Sequence, residues 1–297
     1  MTKTKKRKRR ILLETSGVIY RLHGESRMQA AVEHATSDGR VEVSNFIRME
    51  YLRGVIVNLI DFYFLIKESD SVDDALFEWS QKFQVRAIKI VMMSARHWLV
   101  DQEDCQSREK SLRRLGDGIV RLVYEFDELL NSRMRDHLRC ELGRVFFRHQ
   151  PFSEDMLLDF SERFQRIHKG TPNCNLCGFK DHQLRKLTRR GIDLHSPAQR
   201  EANKKNKGFV KQAERLEQAT GSGDVNPKCS WCKRLGDSII ALHTPDNAVL
   251  VTADCSFEAL GTILGREVRL LPSLAQLKKQ QQEETRGQSA NDEAGHR

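Results

Sequence analysis

No apolar run in this sequence is long and clean enough to cross a bilayer. The longest, GVIVNLIDFYFLI from Gly54 to Ile66, is broken by Asn58 and Asp61, as an amphipathic helix would be. No membrane is therefore expected as a partner. No secretory signal is expected either: the basic start KTKKRKRR leads into ILLETSGVIY, where Glu14 interrupts the apolar stretch too early. A cytoplasmic protein is the expectation. Glycine and proline are scarce from Val72 to about His168, a segment whose apolar residues recur at helical spacing. The seven cysteines are an odd number, which excludes a fully paired disulfide framework. No internal repeat is visible.

Positive charge is abundant. The net charge is +9, and seven basic residues crowd between Lys3 and Arg10. Such a run reads as a solvated, disordered tail or as a nucleic-acid arm. The rest of the surplus favours a polyanionic partner. A chain of 297 residues can hold one large core or two domains.

Ile11 to Leu13 reads as a short buried strand and Thr15 to Leu22 as a helix. From Ser44 to Lys67 the apolar residues Phe46, Leu52, Val55, Ile56, Leu59, Ile60 and Tyr63 recur at threes and fours, with Ser44 as N-cap. Helices over 75–83, 87–100, 107–148 (broken near Gly143 or earlier) and 153–168 make an all-α block. Lys180 to Gly223 is basic and poor in large apolar residues, which suits exposed helix or loop. A helix (Asp237 to His243), a strand (Val249 to Thr252), a helix (Ser256 to Leu264) and a strand (Val268 to Leu271) follow. Gln276 onward is a low-complexity tail. The predicted organisation is a basic tail (1–10), the first part of an α/β domain (11–67), a helical insertion (68–168), a zinc-knuckle and basic loop (169–234), the second α/β part (235–275) and a tail (276–297). Strands alternating with helices at both ends imply a parallel sheet assembled from distant parts of the chain. In such sheets functional groups gather at the carboxyl ends of the strands.

In VLVTADCSFEALGTILG, a strand that reads as fully buried delivers Asp254 at its end. A desolvated carboxylate is costly unless it meets a cation or good donors, so Asp254 either caps the following helix or binds something. Glu14 follows the first strand; Thr15 or Ser16 would cap the next helix better, so capping explains Glu14 poorly. Glu50, in SNFIRMEYLRG, lies beside the apolar stripe of its helix, and could instead pair with Arg48 or Arg53. Asp237, in RLGDSIIAL, stands at the start of a predicted helix, where it could be an N-cap. Carboxylates gathered at one sheet edge repel one another and call for cations. Hard Mg²⁺ or Mn²⁺ ions prefer oxygen ligands, and two can clamp the attacking and leaving oxygens of a phosphodiester.

LLETSGVIYRL, SNFIRMEYLRG, LGDSIIAL and VLVTADCSFEAL resemble, in order and local context, the motifs of the PIN-domain nucleases. In that family the first reads as a strand, an acid, Thr, then Asn or Ser. The second is a helix acid often followed by Arg-Gly, the third an Asp before a small apolar helix, and the fourth Thr-x-Asp-x-x-Phe. The resemblance covers roughly the first sixty residues and the stretch from Leu235 to Pro272. It implies a PIN-like parallel sheet flanked by helices, and a metal-dependent nuclease in which Glu14, Glu50, Asp237 and Asp254 hold Mg²⁺ or Mn²⁺. RNA is the expected substrate in preference to DNA. Arg53 and the basic loop are candidates for contact with substrate phosphate. The first-strand acid is usually Asp in the family and is Glu14 here, which leaves a rival reading open: a catalytically weak PIN-like module that binds nucleic acid. A second rival is a scaffold whose helical insertion docks a protein partner.

Cys174-x-x-Cys177 and Cys229-x-x-Cys232 are two half-sites of the kind that hold a structural Zn²⁺ through four thiolates, in a reducing compartment. An iron–sulfur cluster could use the same ligands. Neither CxxC lies between a clear strand and helix of a βαβ unit, so a thioredoxin-like redox pair is the weakest option.

Overall fold

The first strand, β1 (Arg9–Leu13), carries three consecutive apolar residues, and Ile11, Leu12 and Leu13 are all buried. A strand that is apolar on both faces needs cover on both, the signature of a parallel sheet clad in helices. A computed structural model describes residues 9–82, 95, 98–99, 107–129, 151–170, 230–273, 275–277, 279–280 and 282–283. Among these, β1 lies inside a four-stranded, all-parallel sheet with β2 (Gly39–Glu42), β3 (Ala248–Thr252) and β4 (Glu267–Leu270), in the order β2-β1-β3-β4. β3, AVLVT, is buried along its whole length, whereas the outer strands β2 and β4 contain no fully buried residue. The expectation of an α/β fold on a parallel sheet drawn from both ends of the chain is met.

Helices α1 (Thr15–His23) and α2 (Ser26–Thr36) connect β1 to β2. The segment predicted as one helix after Ser44 is α3 (Asn45–Tyr51), a π-helical turn (Leu52–Ile56) and α4 (Val57–Glu68). Ser44 caps α3 as expected, its hydroxyl accepting the Ile47 N–H at 3.1 Å. A π turn displaces carbonyls from the regular ladder. Here the Asn58 side-chain amide donates to Gly54 O at 3.0 Å.

Next come α5 (Val72–Lys82), α6 (Arg108–Leu129) and α7 (Glu154–Gly170). On α6, Leu115, Ile119, Leu122 and Phe126 repeat at threes and fours and form a buried stripe. They belong to the same apolar cluster as Ile11, Leu13, Val249 and Val251, so α6 is packed into the core that holds the sheet. Each such side chain contributes about 1.5–3 kcal/mol on burial. The chain returns through α8 (Ser230–His243) to β3, and α9 (Ser256–Leu264) leads to β4. Gly265 ends α9 at φ 61°, the left-handed conformation that glycine adopts without a Cβ penalty. No helix among the described residues is long and apolar enough to cross a membrane.

The strand order fixes where a site can form. β1 passes outward to β2 on one side, and β3 passes outward to β4 on the other. The connections therefore part between β1 and β3, the kind of switch point beyond whose carboxyl ends open α/β sheets place their ligands. The register pairs Leu13 with Val251, which brings Glu14 and Thr252 to that place.

Candidate functional site

Glu14 extends the β1–β3 ladder by one bond, its N–H donating to Val251 O at 2.9 Å. It is also the N-cap of α1. Its Oε2 accepts the Ser16 N–H at 2.8 Å, the Ser16 hydroxyl, and the Thr252 hydroxyl at 2.9 Å. The expectation that Glu14 caps poorly is thus corrected: its longer arm folds back onto Ser16. The neighbouring hydroxyls are engaged in other bonds. Thr15 donates to Glu50, and Ser16 Oγ also accepts the Ala253 N–H at 2.8 Å, tying the ends of β1 and β3 together. Glu14 is only 6% exposed. Burial raises its carboxyl above the usual range, the Ser16 and Thr252 donors oppose the rise, and the nearby charge of Asp237 adds to it.

Glu50 lies near the end of α3, and its Oε2 accepts the Thr15 hydroxyl at 2.8 Å. Burial pushes its carboxyl up to about 7. The Thr15 bond and the Arg53 guanidinium work against that rise, while the charges of Glu14 and Asp237 reinforce it. Arg48 is not its partner. That side chain is wholly buried and forms a two-pronged ion pair with Asp127 of α6, Nε to Oδ1 at 2.9 Å and Nη2 to Oδ2 at 3.2 Å. Arg53 acts on Glu50 at longer range from the π turn; among the described residues it forms no ion pair. Among the described residues, a Cβ added to Gly54 beside it would meet nothing within 4 Å.

Asp237 is the eighth residue of α8, because the helix begins at Ser230 and not at Asp237 as the sequence suggested. Capping therefore does not explain it. The residue before it does structural work: a Cβ at Gly236 would collide with Glu50 Oε1. The absence of a side chain there lets α8 rest directly on the Glu50 carboxylate. Asp254 does cap, its Oδ1 accepting the Ser256 N–H at 2.9 Å as α9 opens. Its own N–H donates to Thr252 Oγ1 at 2.9 Å. The Thr252 hydroxyl thus stands between Asp254 and Glu14.

The structure brings Glu14, Glu50 and Asp237 within electrostatic reach of one another. Asp254 reaches the same sheet edge but does not figure among the charges that shift Glu14 or Glu50. Among the described residues no group of three or more His, Cys, Asp or Glu side chains is close enough to hold a metal ion. The physical reason at Glu14 is the cap, which turns its carboxylate back toward α1. The donor set itself is oxygen-only and carries an excess of negative charge, the chemistry that Mg²⁺ and Mn²⁺ select. Cys174, Cys177 and Cys229 lie outside the described residues, as do the Cys232 side chain in α8, residues 1–8 of the basic tail and the basic loop; Arg9 and Arg10, expected in that tail, belong instead to β1.

The reading of acids alone missed the groups that hold them: Thr15, Ser16 and Thr252 as donors, and Gly236 as the contact surface. A signal was present, since a hydroxyl follows Glu14 directly and another stands two residues before Asp254. Compared with protein-family models, curated proteins and solved structures, the chain matches none.

Proposed function

We propose that the protein is a PIN-like, metal-dependent nuclease that hydrolyses phosphodiester bonds, in RNA in preference to DNA. The observation that carries this reading is the approach of Glu50 and the Asp237 helix to Glu14 at the carboxyl end of β1, through the Thr15–Glu50 bond and the Gly236 contact, with the Glu14 and Glu50 carboxyls raised by burial and by neighbouring acids. Such a group is unfavourable by itself and becomes favourable around a hard cation. Glu14, Glu50, Asp237 and Asp254 would hold Mg²⁺ or Mn²⁺. When bound, the ion supplies a water of lowered pKa and neutralises charge on the phosphodiester.

The chain's own residues have distinct tasks in this reading. Thr15 fixes the Glu50 carboxylate, and Ser16 with Thr252 orients Glu14. Arg53, partly exposed beside Gly54, offers a guanidinium to a substrate phosphate. A structural zinc held by Cys174, Cys177, Cys229 and Cys232 would fix the approach to α8.

End-labelled RNA and DNA incubated with the protein and Mg²⁺, Mn²⁺ or EDTA provide the test. Cleavage of RNA with either ion and none with EDTA is expected. Cleavage indifferent to EDTA, or none with any ion, would count against the reading. The engagement of Glu14 in its own cap favours one rival, a nucleic-acid-binding module of weak activity, for which the same assay would show salt-sensitive binding without cleavage.

A further inference from the structure

Two consecutive residues of α6 grip α3 on both sides of Glu50 in sequence. Asp127 holds Arg48 through the two-pronged ion pair, and the Phe126 ring stacks on Tyr51 with centroids 4.7 Å apart. Tyr51 in turn receives His23, the last residue of α1, through a 2.7 Å contact between its hydroxyl and Nε2. Arg48 and Tyr51 are one turn apart and share a face of α3; Glu50 points away from that face, toward Thr15 and Gly236. α3 is therefore wedged between α6 on one side and the acidic site on the other.

We propose that Asp127, acting through Arg48, is a positioning residue for the acidic site, and that α6 is the brace that sets the Glu50 carboxylate against Glu14 and Asp237. This inference rests on the metal-dependent reading above and assigns the helical segment a part in it. The pairing suits the task. A buried guanidinium deprived of its carboxylate is strongly unfavourable, so the pair tolerates little separation. A planar fork also fixes direction as well as distance.

The test uses the full-length chain as wild type, Asp127→Ala and Asp127→Glu, with Mn²⁺ affinity measured by calorimetry and amide hydrogen exchange measured across residues 45–51 and 248–252. The brace predicts that Asp127→Ala exchanges faster in α3 but not in β3, and binds Mn²⁺ about tenfold more weakly. Asp127→Glu, which restores the charge, should recover most of both. Should Asp127→Ala fail to fold, Arg48→Lys, which keeps the charge and loses the fork, carries the same prediction. As a control, Asp246→Asn breaks the ion pair to the buried Arg266 and should leave Mn²⁺ affinity unchanged. Unchanged α3 exchange in Asp127→Ala overturns the brace. Faster α3 exchange with unaltered Mn²⁺ affinity makes the pair merely structural and overturns the positioning role. Wild-type protein that binds no Mn²⁺ overturns the metal reading instead, and the brace is then judged on the α3 exchange alone.

Discussion

Thr15, the residue after the first acid, donates its hydroxyl to the second acid, Glu50, at 2.8 Å. The link joins the start of α1 to α3, elements that are separate in sequence, and it is one of the influences that hold the Glu50 carboxyl down against burial. Thr15→Val keeps the shape and removes the donor. The Glu50 pKa should rise further above about 7, and the acid limb of the cleavage pH profile should move up with it. A destabilisation of about 1 kcal/mol is expected from the lost bond. An unchanged pH profile in Thr15→Val would show that Glu50 does not titrate in the active form.

Glu50 also gives the fold a pH dependence of definite sign. Its folded-state pKa, about 7, lies above the ordinary value of 4.5. Between these values the folded state binds more protons than the unfolded state, so stability falls as pH rises through that window. Glu50→Gln should remove its own share of the pH dependence, leaving those of Glu14 and His23, and be more stable than wild type at pH 8. Adding Mn²⁺ at pH 8 should raise the wild-type Tm and leave the Glu50→Gln Tm unmoved, by the linkage between binding and stability. Thermal melts from pH 4.5 to pH 8, with and without Mn²⁺, check both expectations.

Gly236→Ala separates fold from site. Alanine is favoured over glycine in a helix interior by about 1 kcal/mol. Here the new methyl meets the mobile end of Glu50, which can turn aside, so the fold should survive while the carboxylate leaves its place. A normal melting curve combined with weakened Mn²⁺ binding and cleavage is expected. Wild-type cleavage in Gly236→Ala would mean that the Glu50 position is not critical.

Asp254→Asn tests the acid that is visibly a cap. Asparagine caps about as well as aspartate, so the bond from the Ser256 N–H survives and stability should change little. If the charge of Asp254 serves a cation, metal-dependent cleavage should fall by orders of magnitude in folded protein. Undiminished cleavage would reduce Asp254 to its capping role.

The buried strands and the helix after Asp254 were legible because their physical signals are local. Three apolar residues after a basic run gave β1, and VLVT gave β3, although its first residue is Ala248. The helix over Ser256–Leu264 was read to the residue, helped by Gly265 at its end. By contrast α2 and β2 were missed: β2 is four residues long and its one strong β-former is Val41. The start of α8 was misplaced because Gly236 looks like a helix boundary, and only the tertiary contact with Glu50 explains a glycine inside the helix. Glu14 was misjudged for a similar reason. Its carboxylate folds back onto Ser16 of α1 and also takes the Thr252 hydroxyl of β3, and the second contact is a property of the sheet, not of the local sequence.

Asp237→Asn under cleavage conditions shows whether the three acids at this site serve a cation. Asp237 sits inside α8, away from its start, and its charge bears on both Glu14 and Glu50. The substitution keeps the size and removes that charge. With end-labelled RNA and Mn²⁺, the variant should be folded, somewhat more stable than wild type without metal, and reduced in cleavage by about a thousandfold, the scale lost with a key electrostatic group. Full Mn²⁺-dependent cleavage by well-folded Asp237→Asn protein would contradict a metal role for the three acids.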